Sequence, residues 1–158
     1  MSITARKAIA ADIPILVEMM EEFYAESNFP LDLHWSRNTF AALIANETFG
    51  TIWLINYEDI PIGYSVLAVQ FSMEYGGLSG SIEDLFIRPT HRRQGAGRCA
   101  LETLLDACEE RGLVAVQVET GPANKPAQLL YETYGLDQRT DHRLTFTHRF
   151  TDDSDILK

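Results

Sequence analysis

A short turn, Gly95-Ala96-Gly97, joins a predicted strand to a predicted helix and leaves few architectures open to the chain. The strand before it ends at Pro89, because proline cannot continue a β-ladder. The helix after it has apolar residues every three or four positions and stops at Gly112. Glycine lets a ligand approach the backbone closely, and the first N–H groups of a helix are unpaired and lie at its positive end. The turn therefore predicts a site for an anion.

Three arginines, Arg92, Arg93 and Arg98, surround this turn, although acidic residues outnumber basic ones by 23 to 13 and the net charge is -10. Such a local positive patch suits phosphate groups. The acidic total opposes non-specific binding to nucleic acid or to an anionic membrane, so we expect neither as a partner. The residues alone leave a second interpretation open, in which the glycines only form a tight turn and the arginines are solvated.

The turn also fits a dinucleotide-binding pattern. Gly95, Gly97 and Ala100 satisfy G-x-G-x-x-G/A, and Glu119 lies about twenty residues further on, where an acid would bind a ribose. The first glycine of that pattern should follow its strand almost immediately, whereas residues 88–94 intervene here. Fewer than half of the residues remain to build the second half of such a fold. These two facts disfavour a nicotinamide or flavin site.

The rest of the chain predicts one mixed sheet with helices on its faces, an α/β or α+β fold, in the order β-α-α-β-β-β-α-β-α-β. With 158 residues and 46% hydrophobic composition, we expect one domain at residues 1–150 and an acidic tail at 151–158. Asp12 and Ser36 are the predicted caps of the first two helices, and the loop between them, Ser27–His34, is a candidate substrate wall. The predicted strands are Ile3–Ala8, Thr51–Tyr57, Ile62–Phe71, Ser81–Arg88, Val114–Glu119 and Leu144–Phe150.

The cysteines and histidines give expectations about compartment and metal. Cys99 and Cys108 fall in one predicted helix, roughly 13 Å apart at about 1.5 Å per residue, too far for a disulfide. Reduced cysteines, no apolar signal segment and no stretch long enough to span a bilayer favour a cytoplasmic protein. The histidines are scattered without a second ligand at metal-binding spacing, so we expect no metal site.

Two motifs resemble those of the GNAT family of N-acetyltransferases. Arg92-Arg93-Gln94-Gly95-Ala96-Gly97 matches its R/Q-x-x-G-x-G/A signature, and the strand before it, Ile82–Pro89, is similar to theirs. Downstream, a second block resembles the pattern N-x-x-A-x-x-L-Y-x-x-x-G-F, with Leu136 in place of the usual phenylalanine. The order of elements agrees, so the resemblance covers most of the chain and is weakest over the first 80 residues. The matching residues of the second block are Asn124, Ala127, Leu130, Tyr131 and Gly135.

The resemblance implies a mixed, mostly antiparallel sheet with splayed middle strands, and acetyl-CoA as co-substrate. Its pyrophosphate would lie on the backbone amides of the turn, and its pantetheine arm would run along the edge of the preceding strand. The thioester would then lie between the two splayed strands. The expected cofactor-binding residues are Leu85, Phe86, Ile87, Arg92, Arg93, Gln94, Gly95, Ala96, Gly97, Arg98 and Asn124.

Acetyl transfer to an amine near neutral pH is helped by a carboxylate that removes a proton, because alkyl amines are mostly protonated. Glu83 is the base that the resemblance implies, and Asp84 is the alternative, since successive strand side chains face opposite sides. Tyr131 matches the family's general acid, which would protonate the leaving thiolate. Its spacing from Ala127 and Tyr134 would equally suit a core face. No nucleophile with an activating base is visible, so we expect direct attack in a ternary complex.

Four glutamates on the first helix and Asp32 in the following loop suggest a cationic acceptor, although such a run is also typical of a solvent face. The strand before the turn most resembles that of diamine and polyamine acetyltransferases, which implies a small primary amine. A protein N-terminus or lysine as acceptor, and a non-catalytic acyl-CoA-binding module, remain alternatives. Family members are frequently dimers, and the predicted edge strand Leu144–Phe150 is the expected homodimer interface. The four glutamates are Glu18, Glu21, Glu22 and Glu26.

Overall fold

Five strands form one sheet in the computed structural model, which describes residues 2–151. They are β1 (Ile3–Lys7), β2 (Gly50–Tyr57), β3 (Ile60–Ser72), β4 (Gly77–Ile87) and β5 (Ala115–Val118). The strands lie side by side in chain order. The first four pair antiparallel in succession, and β5 pairs parallel with β4. The expected mixed, mostly antiparallel sheet is confirmed.

Helices cover both faces of this sheet, as the element order predicted. One buried cluster joins Leu16 of the first helix to Tyr64 and Phe86 of the sheet. On the opposite face, Leu101 and Leu104 of the third helix belong to a second cluster. No helix within residues 2–151 combines the length and the apolar character needed to cross a membrane. The helices are α1 (Ile13–Glu26), α2 (Leu33–Ile44), α3 (Ala96–Glu110) and α4 (Lys125–Thr133).

The start of α2 differs from the prediction. Asp32, not Ser36, is its N-cap, because the Asp32 carboxylate accepts a hydrogen bond from the backbone N–H of Trp35 at 2.8 Å. Ser36 lies inside the helix, fully buried, and its hydroxyl donates to the sulfur of Met20. The Asp32 carboxylate, predicted to attract a cationic acceptor, therefore already binds a helix end.

The predicted last strand, Leu144–Phe150, is absent: these residues have no regular secondary structure. The alternating apolar side chains that suggested it, Leu144, Phe146 and Phe150, are between 80% and 92% exposed. No described strand pairs with this segment, and alternation alone does not supply a partner. The edge strand expected as a dimer interface is therefore not formed. Of the predicted acidic tail, residues 152–158 lie outside the described part of the chain.

Strands β4 and β5 part after a short pairing. They pair only over Ser79–Ile82 and Ala115–Val118, so residues 83–87 of β4 have no neighbouring strand on that side among residues 2–151. A β-bulge lies at the same point, because Val66 of β3 is opposite Asp84 whereas the next residue, Leu67, is opposite Ile82. The expected splay is present, although β5 is an edge strand and not a middle one.

Candidate active site

The turn before α3 has the open geometry expected of an anion site. Gly95 has a left-handed backbone with φ of 92°, and a Cβ added there would meet no atom within 4 Å. Arg93 is also left-handed, with φ of 62°. The N-terminus of the 15-residue α3 begins directly after Gly95, so its unpaired N–H groups lie at this open surface. The backbone of the turn can therefore approach a phosphate group closely.

The three arginines around the turn have different partners. Arg93 is exposed and has no hydrogen bond or ion pair with another residue of the described chain. Arg98 donates from Nε to the Tyr134 hydroxyl at 3.3 Å. Arg92 instead donates to the Ile87 carbonyl at 2.7 Å and forms an ion pair with Glu26 of α1. Arg93 and Arg98 are thus better placed than Arg92 to offer a guanidinium to a phosphate at the turn.

The outer edge of β4 offers unpaired backbone groups next to the turn. The Arg88 N–H donates to the Ile62 carbonyl at 2.8 Å, so residue 88 faces β3. Because an antiparallel ladder alternates, Leu85 and Ile87 present their N–H and C=O groups to the open side, where the Ile87 carbonyl already accepts from Arg92 Nε. Phe86 differs, because its side chain is 2% exposed and stacks on Phe23 of α1, with ring centroids 5.3 Å apart. The backbone of Phe86 faces Tyr64 of β3, so neither its side chain nor its backbone is open to a donor at this edge.

Tyr131 lies on the α3 side of the sheet, in the cluster that α4 helps to form. Asn124 starts α4 as its N-cap, with its side-chain oxygen accepting from the Ala127 N–H at 3.3 Å. The Tyr131 side chain is buried, but its hydroxyl oxygen is not fully enclosed and has no described hydrogen-bond partner. Burial raises the pKa of the Tyr131 hydroxyl, so it stays protonated at neutral pH. This side chain can therefore donate a proton.

The two neighbouring carboxylates on β4 have different environments. Glu83 is the extra residue of the bulge and is exposed. Asp84 is partly buried on the α1 side, where the Tyr64 hydroxyl donates to its Oδ2 at 2.8 Å. Burial and, to a smaller degree, the charge of Glu83 raise the pKa of Asp84 to about 6 against the opposing effect of that hydrogen bond. Asp84, and not Glu83, lines a cavity beside α1.

Most of the acidic run on α1 is neutralised within the chain. Arg88 donates to Glu18 at 2.7 Å and to Glu22 at 2.9 Å, and Arg92 pairs with Glu26. Glu21 is exposed and forms no ion pair with another residue between 2 and 151. The sequence could not reveal these pairs, because they join positions 66 to 70 residues apart. The run is therefore not a free anionic surface for a polycation.

An open strand edge that leads to a helix start with unpaired N–H groups suits an extended acyl donor with a phosphate group. The profile of the acetyltransferase (GNAT) family matches residues 15–136. The chain belongs to this family. It is thus an N-acetyltransferase that uses acetyl-CoA, and the enzyme class and co-substrate expected from the sequence are confirmed.

Individual relatives share the fold or part of the sequence. An integron cassette protein from the Cole Harbour Salt Marsh metagenome is 36% identical, with a TM-score of 0.81 over 94% of this chain and 91% of its own. A predicted acetyltransferase with acetyl-CoA from Clostridium acetobutylicum is 20% identical, with a TM-score of 0.76 over 92% and 96% of the two chains. The [ribosomal protein bS18]-alanine N-acetyltransferase of Escherichia coli is 37% identical over 60 residues, 38% of this chain. That match spans only 40% of the E. coli enzyme.

Proposed function

We propose that the chain, as one domain over residues 1–150, transfers the acetyl group of acetyl-CoA to the primary amine of a small cationic substrate by direct attack in a ternary complex. The observation that carries this proposal is the parting of β4 from β5 at Glu83, on the strand that leads to the open turn. It leaves a strand edge for the donor on one side and carboxylates for the acceptor beside it.

The donor fits the groups that the chain offers. The N–H groups from Arg93 to Arg98, with Gln94, Ala96 and Gly97 between them, would hold the pyrophosphate at the start of α3. The open N–H and C=O groups of Leu85 and the N–H of Ile87 would pair with the amides of the pantetheine arm, as a strand pairs with a peptide. Asn124 at the start of α4 would border the arm, because its side-chain N–H groups have no described partner.

The reaction needs one base and one acid. Acetyl-CoA supplies a thioester, and transfer forms an amide C–N bond as the C–S bond breaks and a free thiol leaves. In our proposal Glu83 takes a proton from the substrate ammonium, directly or through water, and the free amine attacks. As the C–S bond breaks, the nitrogen loses its second proton to solvent, while Tyr131 gives its proton to the departing sulfur and is reprotonated from solvent. The sum is an amide, a thiol and one released proton.

Replacement of Glu83 by glutamine tests the base. We expect kcat/KM at pH 7 to fall by about 10²-fold, because general base catalysis is worth that much. The deficit should shrink toward pH 10, where the amine is increasingly free without a base. The measurement is thiol release from acetyl-CoA over diamines, spermidine, amino acids, aminoglycosides and a lysine peptide. Glu21→Gln is the matched control, an exposed acid on α1 that should change nothing; equal behaviour of the two variants would remove Glu83 from the mechanism.

Replacement of Gly95 by alanine tests the donor turn. A methyl group at φ of 92° strains the backbone and occupies the open surface that a phosphate would approach. We expect the Kd for CoA, measured by calorimetry, to rise by about tenfold, the equivalent of roughly 1.4 kcal/mol. Gly112→Ala is the control, since Gly112 is also left-handed, with φ of 71° and no atom within 4 Å, but lies at the far end of α3. The idea fails if both variants bind CoA alike.

A protein N-terminus is the second candidate acceptor, because the E. coli relative is named for the alanine of a ribosomal protein. A peptide that begins with alanine therefore joins the acceptor panel, and its preference over every small amine would move the function to protein modification. Tight CoA binding without transfer to any amine would favour a non-catalytic module. The polyamine subclass loses its support from the acidic run, because three of its four members bind arginines.

Homodimerisation and a cytoplasmic location remain part of this proposal. Cys99 and Cys108 are both free thiols, in keeping with a reducing compartment. The exposed apolar segment Leu144–Phe150 is still the surface that a partner subunit would cover, although not as a strand of this sheet. Light scattering on the eluting protein gives the mass of the assembly and decides between one copy and two.

A further inference from the structure

A cavity of about 220 Å³ lies between the C-terminal end of α1 and β4. Three aromatic side chains, Phe23, Tyr24 and Phe29, form most of its wall, and Ser27 and Asp84 complete it. An apolar cavity of about 150 Å³ is large enough to hold benzene. This cavity therefore has room for a phenyl ring or a short alkyl chain next to a carboxylate.

The Asp84 carboxylate has no cationic partner in the described part of the chain. Among the residues between 2 and 151, no arginine, lysine or histidine forms an ion pair with it. Its described side-chain partner is the Tyr64 hydroxyl, which occupies one carboxylate oxygen. Charge in a partly buried position is unfavourable unless it is paired, so a bound ammonium group would stabilise the ionised form. Aromatic faces nearby attract a cation as well.

The ion pairs of α1 favour an acceptor with one ammonium group over a polyamine. A polyamine that used the acidic run would have to displace Arg88 from Glu18 and Glu22, or Arg92 from Glu26. A monoamine at Asp84 meets no such competing cation. Beyond its ammonium group, the acceptor would contact aromatic rings, which offer no second carboxylate.

We propose that Asp84 binds the ammonium group of the acceptor and that the aromatic wall holds the organic group, so the preferred acceptor is a primary monoamine with a phenyl or short alkyl group. This inference rests on the proposed transferase function and names the class of amine within it. Asp84 selects and orients the acceptor, while Glu83 keeps the role of base.

Acetylation kinetics with phenethylamine, ethylamine and spermidine test the selection. Phenethylamine should have the highest kcat/KM of the three. Phe29→Ala should lower kcat/KM about tenfold for phenethylamine and leave ethylamine within about twofold, because Phe29 contacts only the organic group. Phe29 is 49% exposed, so its loss does not threaten the fold. Asp84→Asn should lower kcat/KM about 10²-fold for both monoamines, and Glu21→Gln should change none of them.

The pH dependence of amine binding identifies the carboxylate. The titratable groups that face Asp84 are Tyr24 on α1, Tyr64 on β3 and Glu83 beside it. Burial raises the pKa of Tyr24 to about 12 and holds that of Tyr64 well above its ordinary value, so neither tyrosine ionises between pH 5 and about 9. The Kd of phenethylamine, measured by calorimetry, should rise as the pH falls below about 6 and Asp84 is protonated. This rise should persist in Glu83→Gln and vanish in Asp84→Asn.

The binding experiment also separates this inference from the proposed function. If no amine is acetylated but phenethylamine binds the wild type and not Asp84→Asn, the transferase proposal fails and the acceptor cavity stands. Efficient acetylation with a preference for spermidine or an alanine peptide overturns the monoamine assignment and leaves the transferase intact. Equal loss for ethylamine and phenethylamine in Phe29→Ala overturns the aromatic wall, and this holds even if Asp84→Asn does not fold.

Discussion

Phenylalanine at position 131 should lower kcat for acetyl transfer by about 10²-fold or more, while the Kd for CoA stays close to that of the wild type. The change removes one hydroxyl and keeps the ring that packs against α3. Without a proton donor, the thiolate must leave as an anion in a partly enclosed site. Thiol release under saturating acetyl-CoA and amine measures the effect, and circular dichroism confirms the fold.

Tyr134→Phe is the matched control for that experiment. It removes a hydroxyl three residues further along the chain, one that receives a hydrogen bond from Arg98 and donates one to Glu102. Its kcat should stay within about threefold of the wild type, because the hydroxyl joins α4 to α3 and contacts no reacting atom. If both variants lose activity equally, Tyr131 is a packing residue and the general acid must be sought elsewhere.

Alanine at position 50 should destabilise the fold by about 4 kcal/mol or more. Gly50 begins β2 with φ of 151°, and an added Cβ would lie 1.9 Å from the Leu67 carbonyl oxygen and 2.9 Å from its carbon. These are backbone atoms of the neighbouring β3, so no side chain can move aside to make room. Urea denaturation followed by circular dichroism measures the loss of free energy of unfolding. Since domains of this size are stable by only about 5–15 kcal/mol, a loss of this size removes from about a quarter to most of the free energy of unfolding.

Gly76→Ala separates the clash from backbone strain. Gly76 has φ of 75°, and an added Cβ would meet no atom within 4 Å. This variant should therefore lose only about 1–2 kcal/mol, the cost of a left-handed alanine. Similar losses in the two variants would show that the contact with Leu67 is relieved by movement of the sheet.

Much of the architecture follows from local signals that one sequence carries. The strand–turn–helix unit is marked by Pro89 after the strand, Gly95 in the turn and Gly112 after the helix. The spacing of apolar residues predicts the helices α1, α3 and α4. Apolar residues alternate just as clearly in Leu144–Phe150, but this segment forms no strand. A strand needs a neighbouring strand to pair with, and alternation does not provide one. Asp32 takes the capping role predicted for Ser36, since both residue types cap helices and only the structure decides between them.

The candidate site was harder to predict, because it depends on contacts that are distant in sequence. Simple alternation in β4 places Glu83 and Asp84 on opposite faces, but it does not reveal the bulge at Glu83 or the cavity beside Asp84. The arginines that neutralise α1 come from positions after the strand, and no local pattern links them to Glu18 or Glu22. The motif predicts a donor side from local sequence, whereas a prediction of the acceptor side requires the fold.

In our proposal β4 binds the donor through its backbone and the acceptor through its side chains, and this division bears on how such enzymes diversify. In our proposal the open edge at Leu85 and Ile87 binds the donor through main-chain atoms, and nearly every amino acid carries the same main-chain atoms. The acceptor side at Asp84 and Phe29 depends on side chains, which single mutations replace. A lineage built on this strand can therefore change the amine that it modifies many times over while its use of the acyl donor is inherited unchanged.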